Sequence, residues 1–132
     1  MKKIIVKIFW DNNYGAVSDE VLGCVATADT LEDVKREYAS ALQFHLNGMI
    51  EDGDELPFKI QGEYELEFDV DGQALIHSVE GLVTKAALSR ATGINEKQLS
   101  HYSTGFRRPR KEQREKIIQG VHKIANELMN IK

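Results

Sequence analysis

Between Thr84 and Arg110 the sequence TKAALSRATGINEKQLSHYSTGFRRPR sets hydrogen-bonding side chains of complementary kinds on a helical spacing. Asn95, Glu96, Lys97, Gln98 and His101 offer donors and acceptors along one helix. Lys85, Arg90, Arg107, Arg108 and Arg110 surround them with positive charge, and Thr84 and Thr104 add hydroxyls. Such a set breaks no bonds; its chemistry is recognition. Lys97 and Gln98 can donate to base acceptors, Glu96 can accept from cytosine N4, and Asn95 and His101 suit a base edge or a phosphate. Thr84, Lys85, Arg90, Thr104, Arg107, Arg108 and Arg110 suit phosphate oxygens, which give affinity and orientation with little sequence information.

These side chains need two helices to carry them. Thr84 can cap a first helix whose small apolar face is Ala87, Leu88 and Ala91. Gly93 ends it, because a residue just past a helix end often needs a positive φ, and Ile94 plugs the turn. Asn95 and Gln98 form a capping-box-like pair for a second helix, Glu96–Ser103. In it Leu99 and Tyr102 face inward, and Glu96, Lys97, Gln98, Ser100 and His101 face outward. Two short helices about a glycine turn make a helix-turn-helix. LSRATGINEKQLSHYSTG with the following RRPR resembles the DNA-binding domain of the lambda-repressor/Cro-like (Xre) superfamily over roughly the last sixty residues. Leu88, Ile94 and Leu99 fall where that family buries its own apolar residues. Thr92 stands where the family more often has an apolar residue, and its hydroxyl can bond back into its own helix. The resemblance implies double-stranded DNA as a partner, with the second helix in the major groove. A lone motif has a small footprint, so a homodimer or higher homo-oligomer on an inverted repeat is expected.

Charge divides the 132-residue chain. Residues 1–80 carry six Lys and Arg against seventeen Asp and Glu, a net −11; residues 81–132 carry eleven against four, a net +7. The basic part is suited to a polyanion and the acidic part to solvation or a basic partner. No apolar run reaches the roughly 20 residues that span a bilayer, so no membrane contact is expected. MKKIIVKIFW runs into Asp11, Asn12 and Asn13 too early for a signal-peptide core, and a cytoplasmic protein is the expectation. The single cysteine, Cys24, excludes an intrachain disulfide and leaves no cysteine cluster for zinc; it reads as a half-buried strand residue.

Within the acidic half, Lys3–Trp10 reads as a strand, Asp11-Asn12-Asn13 as a turn, and Tyr14–Ser18 and Leu22–Thr27 as returning antiparallel strands. Thr30 with Asp33 opens a helix to about Met49, with Leu31, Val34, Tyr38, Ala41, Leu42, His45, Leu46 and Met49 on one face. Pro57 starts an extended segment. Tyr64, Leu66, Phe68 and Val70 then alternate with Glu63, Glu65, Glu67 and Asp69, a half-buried strand with an acidic outer face. The early strand, LGCVATADTLEDVKREYASAL and DGDELP resemble the N-terminal domain of HicB-family antitoxins. That resemblance implies a truncated RNase-H-like β-β-β-α-β module without catalysis, and a small basic HicA-like toxin as partner. The residues agree on catalysis: two-metal hydrolysis needs converging carboxylates, and the first strand offers none before Asp11. His45 has no His or Cys at i+3 or i+4, so no metal site is expected, and no cofactor.

Asp71-Gly72 admits two readings: a hairpin turn with Ala74–Val79 as partner strand, or the preferred helix, capped near Asp71, ending around Gly81 and carrying the stripe Leu75, Ile76, Val79, Leu82 and Val83. A last helix from Lys111 to Met129 has Ile117, Ile118, Val121, Ile124, Ala125 and Leu128 on its buried side, with Gly120 permitting close packing. The fold class expected is α+β, a β-β-β-α-β module over 1–70 and an all-α helix-turn-helix domain over 71–132. Two functions follow: an antitoxin that binds operator DNA and a toxin, or a stand-alone transcription regulator whose first domain dimerises or senses a ligand.

Overall fold

The computed structural model of the chain describes residues 1–57 and 60–132. It divides into two compact units, Met1–Asp71 and Gly72–Lys132. In the first, β1 (Lys2–Trp10), β2 (Tyr14–Ser18) and β3 (Val21–Ala28) form an antiparallel meander. α1 (Leu31–Glu51) then crosses over to β4 (Tyr64–Val70), which pairs parallel with β1. The sheet order is β3-β2-β1-β4. The mixed α+β architecture is thus the one expected. Between β1 and β2, Asn12 takes a left-handed φ of 64°, a conformation asparagine tolerates better than most residues.

Period-two alternation decides what this sheet buries. Ile4, Val6 and Ile8 of β1 are wholly buried, and register sets Leu66, Phe68 and Val70 of β4 opposite them on the same face. Val34, Tyr38, Leu42 and Leu46 form the buried stripe of α1. Glu65, Glu67 and Asp69 are all exposed, giving β4 its acidic outer face. Thr30 Oγ1 accepts from Asp33 N at 3.1 Å, but the reciprocal half of a capping box does not form, because the Asp33 carboxylate pairs with Arg36. Cys24 is not half-buried but buried, and burial pushes its thiol up, away from the reactive thiolate. Residues 54–57 form no strand, and the next strand begins only at Tyr64; the rest of the extended segment expected after Pro57 includes Phe58 and Lys59, which lie outside the described residues.

The second unit is all helix: α2 (Gly72–Val79), α3 (Lys85–Thr92), α4 (Glu96–Thr104) and α5 (Lys111–Met129). The hairpin reading of Asp71-Gly72 therefore fails and the helix forms, since Gly72, Ile76 and Val79 bury at i, i+4 and i+7. It ends at Val79, short of Gly81, where Leu82 and Val83 N–H groups close back on the Val79 carbonyl at 2.9 and 3.0 Å. Leu82 is for that reason off the stripe and exposed. Ile76, Val79, Leu88, Ile94, Leu99, Tyr102 and Ile117 make the core. Each large apolar side chain buried there contributes roughly 1.5–3 kcal/mol relative to exposure. The α5 stripe is covered only as far as Ile124; Ala125 and Leu128 are exposed, because no other helix of this unit reaches that end.

Gly120 is where α5 meets α3. A Cβ built there would lie 2.4 Å from Thr92 Cγ2. Thr92 cannot simply swing away, since its hydroxyl donates to the Leu88 carbonyl at 2.7 Å and accepts from Ile94 N at 3.1 Å. Replacing Gly120 by alanine gains about 1 kcal/mol of helix propensity but overpacks the contact by roughly 1–3 kcal/mol. Net destabilisation is expected in urea unfolding, and T92S, which removes the methyl and keeps the hydroxyl, should restore much of it. A double variant no more stable than G120A would show that the contact is not the cause.

Candidate nucleic-acid interface

α3 and α4 are joined by a tight turn built from their caps. Thr84 Oγ1 accepts from Ala87 N at 3.0 Å, and Gly93 ends α3 with φ 77°, its N–H donating to the Ser89 carbonyl at 2.8 Å. Ile94 is buried as the plug of this turn, and Asn95 Oδ1 accepts from Gln98 N at 2.8 Å to open α4. The bonds of the Thr92 hydroxyl explain why a polar residue is accommodated there.

Leu99 and Tyr102 are buried, which rolls α4 so that Asn95, Glu96 and Lys97 stand exposed at its N-terminal end. Gln98 and His101 do not share that exposure. The Gln98 carboxamide, instead of reaching back to the Asn95 N–H, donates to the Tyr102 hydroxyl at 2.9 Å. His101 is half-buried, with Nδ1 enclosed and without a hydrogen-bond partner among the described residues, its ring edge-on to Phe106 at 4.9 Å. Ser100 is half-buried as well. The outward face expected along α4 is therefore narrower, because the loop after the helix folds back over its second turn.

That loop holds much of the positive charge. Arg107 N donates to the His101 carbonyl at 3.2 Å, and the Arg107 guanidinium lies over the Phe106 ring at 5.7 Å. Arg107, Arg108 and Arg110 line a polar hollow of about 470 Å³ together with Gln98, Tyr102 and Gln113. Among the described residues none of the three arginines is paired with a carboxylate. Arg90 stands exposed on α3, outside this hollow. Thr84 and Thr104 are exposed, but their oxygens already serve the backbone: Thr104 Oγ1 donates to the His101 carbonyl at 3.3 Å and accepts from Phe106 N at 3.4 Å.

Lys85 is drawn into a separate polar cluster. Its Nζ lies 3.6 Å from Glu80 Oε1, which also accepts from the Ser103 hydroxyl at 2.6 Å, while Glu80 Oε2 faces His77 Nδ1 at 3.2 Å. His77 Nε2 donates to the Ser103 carbonyl at 2.9 Å, and Gln73 donates to the same oxygen at 3.2 Å. These bonds tie the ends of α2 and α4 and the start of α3. Sequence reasoning missed Tyr102 as a polar anchor, Gln113 and this cluster; only Gln98 and Tyr102, four apart on one helix, were open to it.

Burial alone would push the Glu80 carboxyl up, but the Ser103 hydroxyl, His77 and Lys85 together hold it below the usual carboxylate range. A carboxyl depressed on folding contributes stability above its unfolded value, and that contribution is lost as pH falls through the folded one. The thermal midpoint of E80Q should therefore lie below that of wild type at neutral pH, with the gap closing as pH falls through and below the usual carboxylate range. A gap independent of pH, unchanged from neutral pH down through acid, would show that the charge of Glu80 is not what stabilises the cluster.

Among the described residues no group of His, Cys, Asp and Glu is arranged to hold a metal ion, and no helix is long and apolar enough to cross a membrane. Among curated proteins none matches the chain. Residues 3–91 match the family model of the HicB-like antitoxin of bacterial toxin-antitoxin systems, a stretch that takes in the sheet, α1, α2 and most of α3. With about two-thirds of its length matched, the chain belongs to the HicB-like antitoxin family.

Proposed function

We propose that this antitoxin-family chain represses its own operon, binding operator DNA through the second unit and a small basic toxin through the first, as a homodimer in the cytoplasm. One observation carries the DNA reading. α4 offers Asn95, Glu96 and Lys97 to solvent from a helix fixed by its buried Leu99 and Tyr102, and beside it stand Arg107, Arg108 and Arg110, which have no carboxylate partner among the described residues. With α4 in the major groove, Lys97 donates to guanine acceptors and Glu96 accepts from cytosine, while Arg107, Arg108 and Arg110 grip phosphates. Asn95 and His101 add edge or phosphate contacts, and Thr84, Lys85, Arg90 and Thr104 border the same duplex. The exposed Leu128 and Met129 of α5 favour a partner copy, which would set two such helices on the half-sites of an inverted repeat.

The toxin reading draws on the family and on the first unit. β3 is an edge strand, and beside it an open hollow of about 520 Å³ is bordered by Val25, Phe44, Asp52 and Asp54. Leu22, at 80 % exposure, and Phe44, at 83 %, are unusually bare for residues of their size. An apolar border with carboxylates at one end suits a basic protein.

Gel-shift titration on duplex from the region upstream of the coding sequence tests the DNA reading. Affinity is expected to fall steeply with salt, and R107A/R108A should reduce the slope of log K against log salt by about two. K97A should instead change which sequences are preferred, by about 1–3 kcal/mol at one base pair. A double variant with unchanged affinity and slope would remove the arginines from the interface.

A further inference from the structure

Tyr102 is 2 % exposed, yet it is among the residues that line the polar hollow, and its hydroxyl meets two others of them. Two carboxamides donate to it, Gln98 Nε2 at 2.9 Å and Gln113 Nε2 at 3.4 Å. A hydroxyl has two acceptor lone pairs and one proton. Both amides occupy the acceptor side, so the proton is left to donate elsewhere, and the space Tyr102 borders is lined by Arg107, Arg108 and Arg110, with no carboxylate among its lining residues. α5 also opens here: Arg110, its N-cap, makes no side-chain capping bond, so the positive end of a 19-residue helix lies at the rim without a cap from that residue. A buried neutral donor, three guanidiniums and a positive helix end all call for the same ligand, a compact tetrahedral oxyanion.

We propose that this hollow seats one phosphate group of the duplex backbone, bound by the Tyr102 hydroxyl and the three arginines. Gln98 and Gln113 are then positioning residues that aim the hydroxyl, and Gln98 is not a reader of bases. The seat rests on the operator-binding reading for the source of its phosphate. It also adds a feature that reading does not require, a neutral buried donor that fixes the register of α4 on the backbone. A contact of this kind is indifferent to sequence and displaces no counterion of its own.

Y102F keeps the ring in the core and deletes the donor, and its fold is checked by circular dichroism and thermal midpoint. On the upstream duplex its affinity should fall about three- to tenfold, equally for every duplex sequence tried, with the salt slope unchanged because no charge has been removed. R108A, a surface change that leaves the core intact, should lower the slope by about one. Q98A/Y102F should bind no worse than Y102F and show no new sequence preference. Affinity of Y102F equal to wild type, or a loss confined to some sequences, overturns the seat. If the wild-type chain binds no duplex at all, inorganic phosphate titrated into the 15N-labelled chain decides. Saturable shifts of the Gln98 and Gln113 side-chain amides, absent in Y102F, uphold a phosphate seat and discard DNA as its source. No shift of either amide overturns both.

Discussion

Every assignment on α4 depends on which of its sides is buried. Leu99 and Tyr102 pack into a core with Leu88, Ile94 and Ile117, and this contact sets the rotation of the helix about its axis. A turn of about 100° per residue means that rolling α4 by one position would turn Gln98 and His101, or Ser100 and Ser103, inward and expose Leu99. The Gly93 turn fixes where the helix begins, and Gly120 allows α5 close enough to α3 to close the core from the other side. The exposed residues at the N-terminal end of α4 are thus held by apolar contacts made by α4 and its neighbours, together with the Asn95 cap on Gln98 N.

The polar groups around that core divide the labour. Glu80, His77, Gln73 and Ser103 consume their hydrogen bonds within the unit and act as a clasp between helix ends. Among the described residues Arg107, Arg108 and Arg110 pair with no carboxylate, an arrangement that is costly by mutual repulsion and that a polyanion would relieve. The same contrast runs through the whole chain, since the acidic residues lie mainly before residue 81 and the basic ones after it. Membership of an antitoxin family gives the acidic half a reason to exist apart from nucleic acid: a protein partner can be met by an apolar border and carboxylates where DNA would be repelled.

Much of this was legible in the sequence because it is local. Thr30, Thr84 and Asn95 cap through their own side chains, Gly93 takes the positive φ that its place between two apolar-periodic segments demanded, and β4 alternates without a break. What could not be read was decided by tertiary geometry. Cys24 is buried because β3 lies under α1, Leu82 is exposed because α2 stops two residues early, and the end of α5 is bare because no helix of its unit reaches it. At the candidate site the outward residues were expected from helical periodicity alone, and periodicity does not reveal that the loop at Phe106 folds back on His101 or that Gln98 turns to Tyr102. The arginine hollow joins residues 98 to 113 across two helices and a loop, a juxtaposition no spacing rule encodes.

On the proposal made above, one end of α4 and the arginine loop meet duplex DNA while the first unit faces a protein. Amide shift mapping of the 15N-labelled full chain, titrated with duplex from its upstream region, addresses this most directly. The account requires the largest shifts at Asn95–Lys97 and Arg107–Arg110, with residues 1–70 little affected. Shifts concentrated in the sheet and α1, or an α4 that does not respond, would contradict it.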